Sequence, residues 1–172
     1  MLKELAGVRA HQRWLIQGAG LVGDPQYVPW LISQMSDEGT ARLAGEAIGL
    51  ITGVNLDLSL LDRPRPEGFE AGPTDDPKER DVDMDADDGL SWPDPERVRQ
   101  WWDVNSARFD AGTRYFMGAP VVREHCMDVL KNGSQRQRIL AAHYLCLLRP
   151  GTPLFNTSAP AWRQRALLAK MS

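Results

Sequence analysis

The sequence has little of what a membrane-spanning, secreted or disulfide-bonded protein needs. No apolar run approaches the roughly 18 residues of a transmembrane helix. The start of the chain carries Lys3, Glu4 and Arg9 and lacks the continuous apolar stretch of a signal peptide. Two cysteines, Cys126 and Cys146, are too few for a disulfide framework. We therefore expect a cytoplasmic protein with reduced thiols and no membrane partner.

The net charge is small, and the sequence shows little of the alternation of apolar and polar residues that indicates strands. The net charge of −3 is too small to indicate a nucleic-acid-binding protein by itself. No segment of useful length alternates apolar and polar side chains as a half-buried strand does. The chain is 42% apolar and 25% charged, and its 172 residues are enough for one domain with a real core. The expected fold class is all-α.

The charges are concentrated in one segment. Residues 67–96 contain twelve acids and two bases, a net charge of −10, whereas the other 142 residues hold 11 acids and 18 bases, a net charge of +7. This acidic segment, rich in proline and glycine, has too little apolar surface to offset its ordering entropy. We expect a partly disordered loop that stays outside the helical core.

We expect one helical-repeat domain over 1–172, with a first helical unit over 1–55, the acidic loop over 56–91 and a second helical unit over 92–172. Asp24-Pro25 and Asp94-Pro95 are typical of a helix cap followed by a first turn, Ser134 is typical of a helix cap, and Gly53 is typical of a helix stop. Apolar spacing and turn residues predict a first helix through about residues 2–21 and further helices over about 25–36, 39–51, 95–109, 120–131, 134–148 and 160–170.

The two halves resemble each other, since Gly23-Asp24-Pro25 and Gly118-Ala119-Pro120 each precede a helical pair. Paired helices that cannot bury their apolar faces alone predict stacking. Residues 15–53 resemble the HEAT-like repeat first described in phycobilisome lyases. The resemblance rests on Gly23-Asp24-Pro25, on Val28-Pro29-Trp30-Leu31-Ile32 and on the small-residue helix from Arg42 to Gly49.

The remainder resembles a narrower family of bacterial HEAT-like-repeat proteins of unassigned biochemistry. Its members tend to be found near type VI secretion and toxin-delivery genes, and they are usually longer, with more repeats upstream. The resemblance implies a short α-solenoid that binds proteins. The motifs that carry it, in order, are Leu90-Ser91-Trp92-Pro93-Asp94-Pro95, Trp101-Trp102, Gly112-Thr113-Arg114-Tyr115, Gln135-Arg136-Gln137-Arg138 and Leu148-Arg149-Pro150-Gly151.

Patterns that suggest a bound metal or cofactor each have a structural alternative. Alternating carboxylates from Asp81 to Gly89 are typical of calcium loops, but the glycine and glutamate of an EF-hand do not stand at their positions, which favours a solvated loop. A glycine triplet, Gly18, Gly20 and Gly23, follows a helical segment rather than a strand, so it does not indicate a dinucleotide site.

A zinc site is the other alternative. His125, Cys126, His143 and Cys146 lie on helices that should be adjacent, but the ligand spacings of structural zinc sites are missing, which favours core cysteines. We expect no metal, no cofactor and no catalytic residue.

The expected function is non-enzymatic protein binding. Trp101 and Trp102 are adjacent, so we expect that both cannot face one core and that one of them meets the loop or a partner. The sharpest hypothesis is an immunity protein that neutralises a cognate toxin, the acidic segment filling the positive cleft of a nuclease. An adaptor for a type VI secretion substrate and a lyase-type enzyme are the alternatives. The expected partner-binding residues are Asp81, Asp83, Asp85, Asp87, Asp88, Trp92, Trp102 and Arg136.

Overall fold

A computed structural model describes residues 11–72 and 84–171 of the chain. The chain divides into two compact units, Met1–Gly118 (unit 1) and Ala119–Ser172 (unit 2). This division differs from the expected one, because the helix that follows the acidic segment packs into the first unit. Helices dominate both units, which confirms a mostly helical fold. None of the helices in the described ranges has the length and apolarity that crossing a bilayer requires.

Unit 1 opens with helices whose ends follow from short sequence signals. Helix α1 is Gln12–Val22, α2 is Val28–Gln34 after a 3₁₀ turn at Pro25–Tyr27, and α3 is Glu38–Thr52. The Asp24 carboxylate accepts a 3.0 Å hydrogen bond from the backbone N–H of Gln26, so the predicted cap is confirmed. The predicted stop at Gly53 is also confirmed.

Two glycines at helix ends allow residues 115–117 of unit 1 to pack closely against the helices. Gly23 and Gly53 have φ of 73° and 74°. A Cβ on them would lie 2.3 Å from the carbonyl oxygen of Tyr115 and 2.6 Å from that of Met117. Only glycine combines this backbone conformation with so close an approach. The same stretch holds β1 (Tyr115–Phe116), and unit 2 begins with β2 (Ala119–Pro120).

Helix α4 (Pro95–Asn105) completes the helical body of unit 1. The Asp94 carboxylate caps it by accepting hydrogen bonds from the backbone N–H groups of Glu96 and Arg97, as the sequence predicts. A 3₁₀ turn, Ser106–Arg108, follows. The core that α4 joins contains Ile16, Val28, Leu31, Met35, Leu43, Ile48, Ile51, Val98 and Phe109.

Trp101 and Trp102 both pack against this core, each half-buried. The expectation that only one of them faces the core is therefore wrong. Successive side chains on an α-helix are about 100° apart, so two large rings can flank the two edges of one interface.

Unit 2 is built from α5 (Arg123–Asn132), α6 (Gln135–Leu148) and α7 (Ala161–Met171). Ser134 and Gln137 form a reciprocal capping box at the start of α6, which confirms the predicted cap. Helices α5 and α6 pack together, whereas α7 has no fully buried side chain. Pro120 lies in β2 rather than opening a helix, so the likeness between Gly23-Asp24-Pro25 and Gly118-Ala119-Pro120 does not extend to the turn that begins at Pro25.

Candidate functional site

The acidic segment is held at its base by backbone hydrogen bonds. An isolated bridge joins Asp62 to Pro93. The backbone N–H of Arg63 donates to the carbonyl of Trp92 at 2.7 Å, and that of Asp94 donates to the carbonyl of Leu61 at 2.8 Å. The chain therefore enters and leaves the segment side by side, as at the two ends of a compact loop.

A buried arginine on α3 binds the segment from inside. Arg42 is only 7% exposed, and its two terminal nitrogens donate to the two carboxylate oxygens of Asp85 at 2.7 and 3.0 Å. One of these nitrogens also donates to the backbone carbonyl of Asp87 at 3.0 Å. A bidentate pair of this kind fixes both partners, because two parallel hydrogen bonds leave little freedom of rotation.

A second arginine makes the equivalent contact from α1. Arg13 donates to the two carboxylate oxygens of Asp87 at 2.7 and 2.8 Å and to the carbonyl of Gly39 at 2.7 Å. Asp87 is 4% exposed. The expectation that the acidic segment stays outside the helical body is therefore wrong at these two aspartates. Two cations on neighbouring helices attract the carboxylates strongly enough to order this end of the segment.

Aromatic rings complete the environment of Arg42. Its guanidinium carbon lies 4.8 Å from the ring centroid of Trp92 and 5.2 Å from that of Phe69. These two rings meet edge to face, with centroids 4.7 Å apart. Within the described part of the chain the Nε of Arg42 has no hydrogen-bond partner. The π faces of the rings stabilise the buried cation on that side.

The ion pairs shift the proton affinities of both partner types. Hydrogen bonds from Arg42, foremost, hold the pKa of Asp85 below its usual value, and burial opposes this only in part. The hydrogen bond to Asp87 raises the pKa of Arg13. Both shifts favour the charged pair, so these contacts persist at neutral pH.

An open cleft of about 330 Å³ lies over this cluster. Its lining mixes aromatic, apolar and charged side chains, and the Asp88 carboxylate on its rim has no hydrogen bond or ion pair with any described residue. The lining residues are Arg42, Arg65, Phe69, Ala71, Gly72, Met84, Asp85, Asp88, Gly89, Leu90 and Trp92.

The structure brings four of the predicted partner-binding residues together in unit 1. Asp85 and Asp87 have their carboxylates engaged by arginines, Asp88 is exposed, and Trp92 is buried beneath the cleft. Engaged carboxylates are poorly placed to contact a partner, so Asp88 is the member of this group that retains a free charged group. Asp81 and Asp83 lie outside the described residues.

The other two predicted residues are not among the residues that form this cluster. Trp102 packs on Phe109, with ring centroids 5.5 Å apart, and does not line the cleft. Arg136 is exposed on α6 of unit 2. A partner-binding role for either residue stays a prediction.

The thiols and histidines do not converge on a metal. Burial raises the pKa of the Cys126 thiol to about 11, so this thiol stays protonated at neutral pH. The Cys146 thiol donates to the carbonyl of Thr152 at 3.4 Å. In residues 11–72 and 84–171 no three histidine, cysteine, aspartate or glutamate side chains come close enough to hold one ion.

The sequence interpretation missed Arg13, Arg42 and Phe69. A signal for Arg42 was present, since it stands among apolar and small residues on the buried face of a helix. A charge in that position requires a partner of opposite sign. No sequence signal identified which of the many acids would supply it.

Comparisons with protein-family models, with curated proteins and with solved structures found no match to this chain.

Proposed function

We propose that this chain is a non-enzymatic protein-binding module of HEAT-like helical pairs, and in its sharpest form an immunity protein that neutralises a cognate toxin. The observation that carries the proposal is the arginine-anchored acidic segment. Two arginines on different helices hold Asp85 and Asp87, while Glu67, Glu70 and Asp88 remain exposed.

The charge that remains after anchoring favours a basic partner. Counting Arg13 and Arg42 with residues 67–96 leaves a net charge of −8. A fixed field of one sign raises the rate at which an oppositely charged surface associates, and salt screens this effect. A nuclease toxin has such a surface, because its cleft must attract phosphates.

The cleft contents also favour binding over catalysis. Its polar groups are arginines and carboxylates, and the two largest rings, those of Phe69 and Trp92, are packed around Arg42. Among the described residues of the cleft no nucleophile stands beside a base, which is the arrangement that covalent catalysis needs. A likeness to a lyase repeat concerns the scaffold and carries little weight for activity.

The test is co-expression with the product of the neighbouring gene in a bacterial host. If that product is toxic, we expect the wild-type chain to restore growth and to bind it with a dissociation constant that rises with salt. The triple variant E67Q/E70Q/D88N removes three exposed charges without touching the ion pairs, and we expect it to weaken binding at least tenfold.

The matched control is D103N/D110N/E124Q, which removes the same number of exposed acids outside the acidic segment. Equal protection by both triple variants would show that the exposed acids of the acidic segment have no special role in neutralising the toxin. Binding of the neighbouring product without rescue of growth would instead identify an adaptor for a secretion substrate.

A further inference from the structure

A turn in unit 1 exposes two leucine side chains at the surface. Residues 55–61 (the leucine turn) bury Leu56 and Leu61, but Leu58 is 86% exposed and Leu60 is 73% exposed. Leu60 also has φ of 55°, a left-handed conformation that leucine rarely adopts. Strain of this kind is found where a function requires a particular backbone shape.

The leucine turn is fixed rather than loose. The backbone N–H of Leu58 donates to the Asn55 side chain at 2.9 Å, and that of Leu61 donates to the carbonyl of Leu56 at 2.8 Å. From α4, Arg97 donates to the carbonyl of Leu60 at 3.2 Å. A rigid apolar projection loses little entropy on binding.

Unit 2 has a groove at its surface that is apolar, as the projecting leucines are. A groove of about 320 Å³ (the apolar groove) lies between α6 and the chain that follows it. Gln135 of α6 and Gln164 of α7 both donate to the carbonyl of Thr157, at 3.1 and 3.0 Å, and hold that chain in place. The side chains that give the groove its apolar lining are Ile139, Ala142, Leu154 and Phe155.

The leucine turn has acidic residues in it and beside it, whereas the part of the chain that forms the apolar groove is basic. Asp57 is exposed in the leucine turn and Asp62 follows the turn directly. Residues 129–172 contain seven bases and no acid. Arg136, Ile139 and His143 stand at helical spacing on one face of α6, so a positive charge stands beside the apolar groove.

We propose that the leucine turn of one copy of this chain docks in the apolar groove of a second copy. Leu58 and Leu60 enter the groove, and Asp57 lies against the basic surface around it. The contact joins two different surfaces, so it is heterologous, and both copies keep one unused surface. Its area is small, and we expect weak association that depends on concentration and on salt.

The experiment is analytical ultracentrifugation of the full chain from about 10 µM to about 1 mM, the range in which a small interface saturates. We expect the average mass to rise with concentration. L58S/L60N removes the projection, with asparagine chosen because it tolerates the left-handed conformation. I139S/L154S removes the groove lining. Each pair should raise the dissociation constant about tenfold or more, since each removes two buried apolar side chains.

Mixing the two variants gives the decisive result. L58S/L60N keeps an intact groove and I139S/L154S keeps an intact turn, so together they should form a one-to-one complex that neither forms alone. The exposed-residue controls V104S and L147S should associate as the wild type does. A wild-type chain that stays monomeric throughout, or a mixture that stays monomeric while the wild type associates, overturns the proposal. Circular dichroism confirms that every variant is folded.

Discussion

The two units of this chain use charge in opposite ways. Unit 1 has 21 acids and 12 bases, a net charge of −9, yet it buries most of the side chain of Arg42 and the carboxylate of Asp87. Unit 2 has two acids and eight bases, a net charge of +6, and its last helix has no buried side chain at all. An excess of acids in unit 1 therefore does not prevent ion pairs. Which acids are paired depends on where the fewer basic residues lie in the fold.

The cores differ as well. In unit 1, α1 to α4 share one apolar cluster, whereas in unit 2 only α5 and α6 pack closely together. Both units nevertheless leave large apolar side chains at the surface, among them Trp14 and Leu58 in unit 1 and Leu147 and Trp162 in unit 2. We expect unit 1 to be the more stable of the two, because its larger core buries more apolar side chains in total.

The largest effect should come from the core of unit 1. Ile48→Ala removes a fully buried side chain and should lower the free energy of unfolding by about 2–5 kcal/mol. Leu147→Ala, on the exposed face of α6, should change it by less than about 0.5 kcal/mol. Urea denaturation followed by tryptophan fluorescence measures both. Comparable losses for the two variants would contradict the placement of Ile48 in the core and of Leu147 at the surface.

The next effect should come from the arginine that anchors the acidic segment. Arg42→Met leaves Asp85 without its partner in a largely buried setting, and we expect a loss of about 3 kcal/mol. Arg99→Met breaks the pair with Glu96, in which both side chains are more than half exposed, and should cost at most about 1 kcal/mol. Thermal and urea unfolding of the two variants provide the comparison. A loss for Arg42→Met no larger than that for Arg99→Met would show that the anchor is dispensable.

Helix caps should behave alike in the two units. Asp94→Ala in unit 1 and Ser134→Ala in unit 2 each remove a side chain that accepts backbone hydrogen bonds, and each should cost about 1 kcal/mol. Amide hydrogen exchange of α4 and α6 resolves the two units separately. A cap variant that destabilises both helices equally would mean that the units unfold together.

The smallest effect is a change in pH dependence. Because the pKa of Asp85 is lower in the folded chain than in the unfolded one, its stabilising contribution is present above about pH 4, the ordinary aspartate value. It is lost as pH falls through the folded value. Asp85→Asn should therefore flatten the acid side of the stability profile of unit 1. A profile of unchanged slope in this variant would assign the acid sensitivity to other carboxylates.

Much of the local structure follows from the sequence, since its causes are local. The Asp24 and Asp94 caps, the Gly53 stop and the Ser134 capping box all lie where the residues predict them. Predictions failed where a distant contact decides the outcome. Pro120 was expected to open a helix, but it lies in a strand beside Ala119, and α5 begins at Arg123.

The candidate site was predictable only in part. The sequence identified the acidic segment and placed Trp92 beside it, because composition and turn residues are visible without a fold. It did not predict that Arg13 and Arg42 would bind Asp87 and Asp85, since the partners are 74 and 43 residues apart. Nor did it predict that Trp101 and Trp102 share one core.

The sequence by itself determined the helical character of this protein, the ends of several helices and the separation of acidic from basic residues. Hydrogen bonds within a few residues and the periodicity of apolar side chains are enough for that. Only the tertiary structure decided which carboxylates are engaged and which remain free, and which apolar side chains are buried and which project. Those outcomes depend on where helices distant in sequence meet, and the residue types alone do not specify it.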